Sequence, residues 1–502
     1  MMAVGGKQEL DVRVHDWLRK IKVAYAPGPG EAEVRRHVER LLAQFREEGH
    51  RVEVDPTPGV DLVLTSARFG EPVPWREALM LTARRRFGLE NHPTVVTLLA
   101  LTREQFDQRL QALAEALGKD PPDPADFAYP GLTPRAYQVL IEQGKRGGPI
   151  LALERLVQAQ TMSIRNVLFV EEGARAVAYH FDLVGAHPCS DHPDPDKMYR
   201  DVMLRMVTAV STREITGHGV VDHPISRERW ASLATPAAML RAAREFDRRG
   251  FFTTMVRISD LVEVPALEGA IASQYSEGCF ATWEPGLSAL ITTVTGSARP
   301  VDKGKIGEDD LAVIVGLQAD GEGALVRHVE GKLNAPPSSE AVELMDMDSV
   351  LPRIWLDEEA EETVPVIRSK LHGHRGVAAY DPTCAEHVFL DASYYDYPVS
   401  CSTEAQARAI KAAFRRSEAL QNPDDRRQIV FSVLPGHGVV IVEKWVQGKE
   451  PFQVIWEAMD RGALVVSSHV PQGRLDYRRS PEGIMVLDEV GARTWPPIRT
   501  AS

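Results

Sequence analysis

The sequence predicts an α/β fold, and three observations carry that reading. Over the first 130 residues, short branched-aliphatic runs alternate with segments of helical period. One of the runs, Thr94–Leu99, is apolar on both faces, as a strand buried in a parallel sheet is. The composition, 44% hydrophobic and 26% charged, is that of an ordinary globular chain, and 502 residues leave room for two or three domains.

In order, Ile21–Ala26 reads as a strand and Pro27-Gly28-Pro29-Gly30 as a turn. Glu31–Glu48 then has a helical stripe of Val34, Val38, Leu41, Leu42 and Phe45. Strands follow at Arg51–Val54 and Asp61–Thr65, a helix near Trp75–Thr82, the strand Thr94–Leu99 and a helix Thr102–Leu117. This is a parallel sheet covered by helices, Rossmann-like in class. The Gly-Pro-Gly turn could seat an anion at a helix start, but the full Gly-rich fingerprint with its downstream acid is missing, so it reads as a tight strand-to-helix turn. Lys119–Pro124 is Pro-rich and charged, a linker that would divide the region into two lobes. Helices at Pro134–Gln143 and Ile150–Gln158 and strands at Asn166–Val170 and Ala176–Phe181 complete a region taken as residues 1–230, of unknown role.

A net charge of −13 argues against nucleic acid or anionic lipid as the main partner. No run of about 18 apolar residues occurs, so no membrane span is expected. Met1–Leu10 lacks a basic-then-apolar signal, and Cys189, Cys279, Cys384 and Cys401 have no paired spacing, which reads as reduced thiols in a cytoplasm.

The chemistry concentrates in three pieces: Ser338-Ser339-Glu340, Leu371-His372-Gly373-His374 and Pro435-Gly436-His437-Gly438-Val439-Val440. On a strand, the i, i+2 spacing turns His372 and His374 to one face. The residues before them, from Val364, are strand-like, and His437 opens another strand. Three imidazoles leave a zinc-like ion one open position, and a carboxylate beside it can move a proton. Spacing alone equally allows a polar loop and a lone surface histidine.

A series of pieces in order resembles the class II aldolase/adducin family. It runs from Thr235-Pro236-Ala237 through Arg249-Gly250-Phe251-Phe252, a helix stopped by glycine. It continues with the turn Tyr275-Ser276-Glu277-Gly278, the strand Leu290–Gly296 with its Thr-x-Thr-Gly close, and Lys305–Ile314. Pro337–Glu340, the His-Gly-His and the Gly-His-Gly-Val-Val strand follow, with His374 and His437 standing 63 positions apart. The resemblance covers roughly residues 233–475, with 476–502 as a tail. It implies an α/β domain on a central, mainly antiparallel sheet. It also implies His372, His374 and His437 as metal ligands, Glu340 as acid/base, and Thr295, Gly296, Ser338, Ser339 and Gly278 on the substrate or its phosphate. The activity implied is a metal-dependent lyase, an aldolase cleaving a ketose or sugar phosphate through a metal-stabilised enediolate. Relatives run 4-epimerisation or dehydration on the same site, and adducins are non-enzymatic interaction proteins. The implied cofactor is a divalent ion, Zn2+ first, with Mn2+, Fe2+ or Co2+ as alternatives. The implied partners are a small carbohydrate and further copies of the chain, a tetramer.

Two departures stand out. Cys279 occupies the place of the family's turn Asn. In addition, 32 positions separate Glu340 from His372, with an acidic insert, Asp357–Glu362, that reads as a solvated loop or as a reshaping of the pocket. Elsewhere, His180, Asp182, His187, His192 and Asp194, with His218 and His223 later, have irregular spacing. They read as polar loop, with metal or substrate contacts as the alternative. Thr403–Leu420 reads as a capped amphipathic helix and Pro451–Arg461 as another. Tyr394, Tyr395 and Tyr397 read as packing, or as facing the pocket.

Overall fold

The computed structural model describes residues 19–57, 59–73, 94–127, 129, 132, 134–163, 165–181, 189–211, 217–252, 278–295, 303–319, 323–357, 361–391, 394, 403–435, 437–467, 470 and 475–488. The chain is mixed α/β and falls into two compact units. The described residues of one lie within 18–211, those of the other within 212–255 and 274–492.

The first unit is a seven-stranded sheet. Its strands are β1 (Lys22–Ala26), β2 (Arg51–Glu53), β3 (Leu62–Ser66), β4 (Thr94–Thr102), β5 (Asn166–Glu172), β6 (Arg175–Phe181) and β7 (Cys189–Ser190). They lie in the order β2-β1-β3-β4-β5-β6-β7. Pairing is parallel from β2 to β5 and antiparallel beyond it. The first five strands thus have the 2-1-3-4-5 order of open doubly wound sheets. Helix α1 (Glu31–Glu47) and helix α4 (Pro195–Ser211) bury Val34, Leu41, Phe45, Val202 and Met203 with β-strand residues in one cluster. Helix α2 (Arg103–Leu117) and helix α3 (Pro134–Thr161) bury Phe106, Leu110, Leu153 and Val157 with strand residues in another. Within α3, Gly148 breaks the helical backbone at φ 76° ahead of Pro149, which accounts for two helices in the sequence reading. The stretch 119–124 lies inside this unit, where a cis Asp120–Pro121 bond leads into a 3-10 turn at Pro124–Phe127. The helix expected near 75–82 lies outside the described residues.

The second unit is built on nine strands: β8 (Gly217–Val220), β9 (Cys279–Glu284), β10 (Ala289–Thr293), β11 (Leu311–Leu317), β12 (Gly323–Arg327), β15 (Ile367–Gly373), β17 (Ala385–His387), β18 (Ile429–Leu434) and β19 (Gly438–Lys444). Their order is β17-β18-β19-β15-β9-β10-β11-β12-β8, antiparallel throughout except for the parallel pair at each edge. One set of buried residues joins Phe246, Phe251, Phe280, Phe431, Ile441 and Phe452; another joins Leu344, Met347, Ile410, Phe414, Val440 and Val442. Because side chains alternate along a strand, Val440 and Val442 go to one face and Ile441 to the other. A hairpin, β13 (Arg353–Asp357) with β14 (Glu362–Pro365), and a small sheet of β16 (Gly376–Tyr380), β20 (Leu464–Ser467), β21 (Tyr477–Arg479) and β22 (Met485–Leu487) complete the β structure.

Helix α5 (Arg227–Ala231) precedes α6 (Thr235–Arg248), which starts with proline in its first turn, buries Met239, Ala242, Ala243 and Phe246, and is followed by Gly250 at φ 64°. Helix α7 is Ser339–Asp346. The helix expected over Thr403–Leu420 is instead two. α8 (Glu404–Arg415) is capped by Thr403, and α9 (Glu418–Gln421) by the buried Ser417, whose hydroxyl accepts from the Leu420 amide and donates to Glu386. α10 (Gln453–Asp460) follows Phe452, itself in the left-handed region. The strand expected from Val364 to Leu371 is broken at Val366; of the acidic insert, Asp357 ends β13, Glu362 starts β14 and residues 358–360 lie outside the described residues.

Candidate metal centre

β15 lies between β9 and β19, and its register puts His372 opposite Cys279 on one side and Val440 on the other. His437 sits in the turn joining β18 to β19, its amide donating to the Leu434 carbonyl. Two neighbouring strands therefore bring together residues 63 positions apart. Ring centroids are 4.9 Å apart for His372 and His437, 5.1 Å for His374 and His437, and 5.6 Å for His372 and His374. One nitrogen from each ring lies within 4.8 Å of the other two. Among the described residues, this is the one group of three or more metal-ligating side chains so placed.

The donor set fits a divalent ion. His372 and His437 are buried, yet their Nε2 atoms have no hydrogen-bond partner among the described residues. Such orphaned buried atoms are uncommon unless a ligand completes them. His372 Nδ1 lies 3.2 Å from the Val439 carbonyl, so that nitrogen carries the proton and Nε2 keeps its lone pair. Burial pushes the His372 ring below the usual histidine range, against the opposing pull of the Glu340 charge. Burial and the two neighbouring rings push His437 well below it. The rings are held in the neutral form that a metal requires.

Glu340 stands in the first turn of α7, and its Oε2 accepts from the Ser338 hydroxyl at 2.6 Å. Ser338 is buried and its amide donates to the Thr293 carbonyl, which ties the start of α7 to the end of β10. Thr295 also lies there, its amide given to the Pro336 carbonyl at 2.9 Å. Gly278 has φ 62°, and a Cβ on it would stand 2.3 Å from the His372 carbonyl oxygen. Only glycine lets the chain enter β9 this close to the histidine strand. Gly296 and the Ser339 side chain lie outside what is described.

Compared with known proteins, the chain matches no family model, no curated protein and no solved structure.

Two neighbours of this site, Lys303 and Lys370, were not singled out in the sequence; a third, Cys279, was noted there only as a departure from the family's turn. Cys279 is fully buried across from His372; burial, then the Glu340 charge, push its thiol well above the ordinary range, so it stays protonated. Lys303, in the 3-10 turn Lys303–Lys305, is buried and donates to Thr293 Oγ1 at 3.3 Å. Lys370, two positions before His372 and on the same face of β15, forms a buried ion pair with Asp348, which lies just past α7. That pair fastens the strand of the imidazoles to the helix of Glu340. Neither lysine lies in a motif, and a lysine's burial has no local signature in a sequence.

The second histidine and aspartate cluster is held by local contacts where it is described. His180 bonds Ser190 Oγ at 3.1 Å, His192 Nδ1 accepts from the Asp194 amide, and Asp194 accepts from the Asp196 amide. Asp182 and His187 lie outside the described residues. His218 and His223 are exposed, on or just after the edge strand β8. In the Gly-Pro-Gly turn, the Gly28 amide is taken by Ser66 Oγ at 2.9 Å. Tyr394 is buried and donates to Gln406, as a packing residue; Tyr395 and Tyr397 are not described.

Proposed function

We propose that this chain is a metal-dependent lyase acting on a ketose or a related hydroxylated carbonyl compound. The observation that supports it most is the convergence of His372, His374 and His437, with nitrogens within 4.8 Å of one another, beside the Glu340 carboxylate. His372, His374 and His437 would hold the ion and leave a position for substrate oxygens. The ion would supply Lewis acidity, withdrawing electron density from a carbonyl and its neighbouring hydroxyl. The chain's own residues supply the rest. Glu340 takes the proton from a substrate hydroxyl as the carbon–carbon bond opens, the bonding electrons pass to the carbon beside the carbonyl, and return of the proton to that carbon gives the ketone fragment; synthesis runs the same steps backwards. Ser338 orients that carboxylate through its 2.6 Å hydrogen bond.

The test offers the Zn2+-loaded chain a panel of ketoses and ketose phosphates and follows them by NMR. The expected result is an aldehyde and a ketone fragment from at least one substrate, with Glu340→Gln slower by about 100-fold or more, within the ordinary range for a general base. Stereochemical inversion or loss of water without cleavage would move the assignment to an epimerase or a dehydratase. No turnover and no exchange of substrate C–H protons would contradict an enzymatic role.

A further inference from the structure

An ion pair joins the strand of His372 to the helical run of Glu340. Lys370 lies two positions before His372, so both side chains leave β15 on the same face. Its side chain is 1% exposed, and its ammonium donates to Asp348 Oδ2. Asp348 belongs to a 3-10 turn, Met347–Val350, that continues α7. Asp346 and Met347, each at φ −61°, carry the right-handed backbone from the one into the other. Glu340 and Asp348 therefore share one unbroken helical run. Its opposite end is tied to β10, where the Ser338 amide donates to the Thr293 carbonyl.

Stability alone does not account for the pair. The face of the sheet around it is apolar: Cys279, Val440 and Val442 pack with Leu344 and Met347 of the helical run in one buried cluster. Lys370 stands opposite Val442 on one side and Ala281 on the other. Asp348 Oδ1 has no hydrogen-bond partner among the described residues. Well-packed apolar side chains of similar volume often match or exceed the stability of such a buried pair. What they lack is direction. Apolar packing tolerates a slide of helix over strand, whereas an ammonium on a carboxylate holds one position. Other polar ties of α7 lead to α8 and not to the histidines. Glu343 accepts from the Thr403 amide at 3.0 Å and from Gln406 at 2.9 Å, and Lys411 donates to Asp346 at 2.9 Å.

We propose that Lys370 and Asp348 are positioning residues of this site: their pairing sets where Glu340 stands relative to the His372 ring and to an ion held by the three histidines. They act through the strand and the helix that they join. That Glu340 moves a proton there rests on the reading in the preceding subsection; the placement itself does not.

The experiment uses the full chain with both charges removed, as Lys370→Met/Asp348→Leu and, in case that variant does not fold, as Lys370→Met/Asp348→Asn. Lys411→Met is the control that frees α7 from α8 alone. Circular dichroism checks the fold. Each protein is loaded with Co2+, whose unpaired electrons shift NMR signals according to distance and direction. The signals followed are the methyl groups of Val342 and Leu344, which lie on α7 between Glu340 and Asp348. The charge-free variant should keep its Co2+ affinity within about threefold and yet move or broaden these signals, and Lys411→Met should leave them in place. With any ketose that wild type cleaves, kcat should fall at least about tenfold while KM stays within about threefold, since a misplacement of about 1 Å can cost about 100-fold. Unchanged methyl shifts in a folded charge-free variant, an unchanged kcat, or equal movement in Lys411→Met overturns the proposal and leaves the lyase reading standing. Moved methyl signals in a chain that cleaves no ketose support the positioning and count against the lyase. A chain that takes up no Co2+ overturns both.

Discussion

Glu443 is a residue whose environment sets a measurable pH response. It is buried on β19, with Oε1 accepting from Ser369 Oγ at 2.7 Å and from the Phe452 amide, while Oε2 has no partner among the described residues. Burial raises its pKa to about 7. A folded value above the unfolded one, roughly 4.3, means the folded state holds the proton more tightly. Its contribution to stability is therefore complete below about pH 4 and is lost as pH rises to 7, an effect on the order of 3 kcal/mol at most. Glu443→Gln should remove that fall: denaturation midpoints of wild type and variant should converge near pH 4 and separate by pH 8, with the variant more stable. Parallel pH profiles would contradict this. His387 gives a second residue-scale prediction. Both its ring nitrogens lack partners among the described residues, and it packs at 4.4–4.9 Å against Phe389, Phe431 and Tyr477. Burial pushes its ring down to about 3, so it sits there neutral and unsatisfied. His387→Leu should cost less than about 1 kcal/mol or stabilise, because an apolar replacement relieves the unmet polar atoms; chemical denaturation reads it directly.

At the scale of the element, caps and the β13–β14 hairpin carry the predictions. Thr403 is buried, and its hydroxyl accepts from the Gln406 amide at 3.3 Å to start α8. Thr403→Ala should cost about 1–2 kcal/mol in denaturant unfolding. The β13–β14 hairpin leaves Trp355 at 57% and Leu356 at 40% exposure, and none of the described residues between Trp355 and Thr363 belongs to the two large cores. Replacing Trp355–Thr363 by an Asn-Gly turn should leave metal content unchanged; its loss would show that the hairpin orders the site. Elements with a strong period were legible in the sequence. The stripe from Val34 to Phe45 and the strands Asn166–Val170 and Ala176–Phe181 are where periodicity put them. The break after Arg415 was not legible, because Ser417 caps α9 through Glu386, a partner from a distant strand. The interruption at Val366 arises likewise, since the hairpin draws Glu362–Pro365 away to pair with Arg353–Asp357. In the candidate site the His-Gly-His pair was legible from its spacing, although His374 falls one residue past the end of β15 rather than on it. Lys303 and Lys370 were not, since their burial comes from tertiary packing.

Across the whole molecule, binding of a metal at this site would be linked to folding. His372 lies on β15, His374 just past its end and His437 in the β18–β19 turn of the same sheet, so an ion held by all three would bind the folded sheet and not the unfolded chain. At a hundredfold excess over its Kd, such an ion stabilises by about 2.7 kcal/mol. Zn2+ should therefore raise the melting temperature of the full chain, and a chelator should reverse the change. The three imidazoles meeting at one cation can be tested most directly by counting that cation. Elemental analysis of purified, dialysed protein should find about one divalent ion per wild-type chain and almost none in folded His437→Ala. Wild type without bound metal, even after incubation with Zn2+ or Mn2+, or a variant that retains its full complement, would contradict the account.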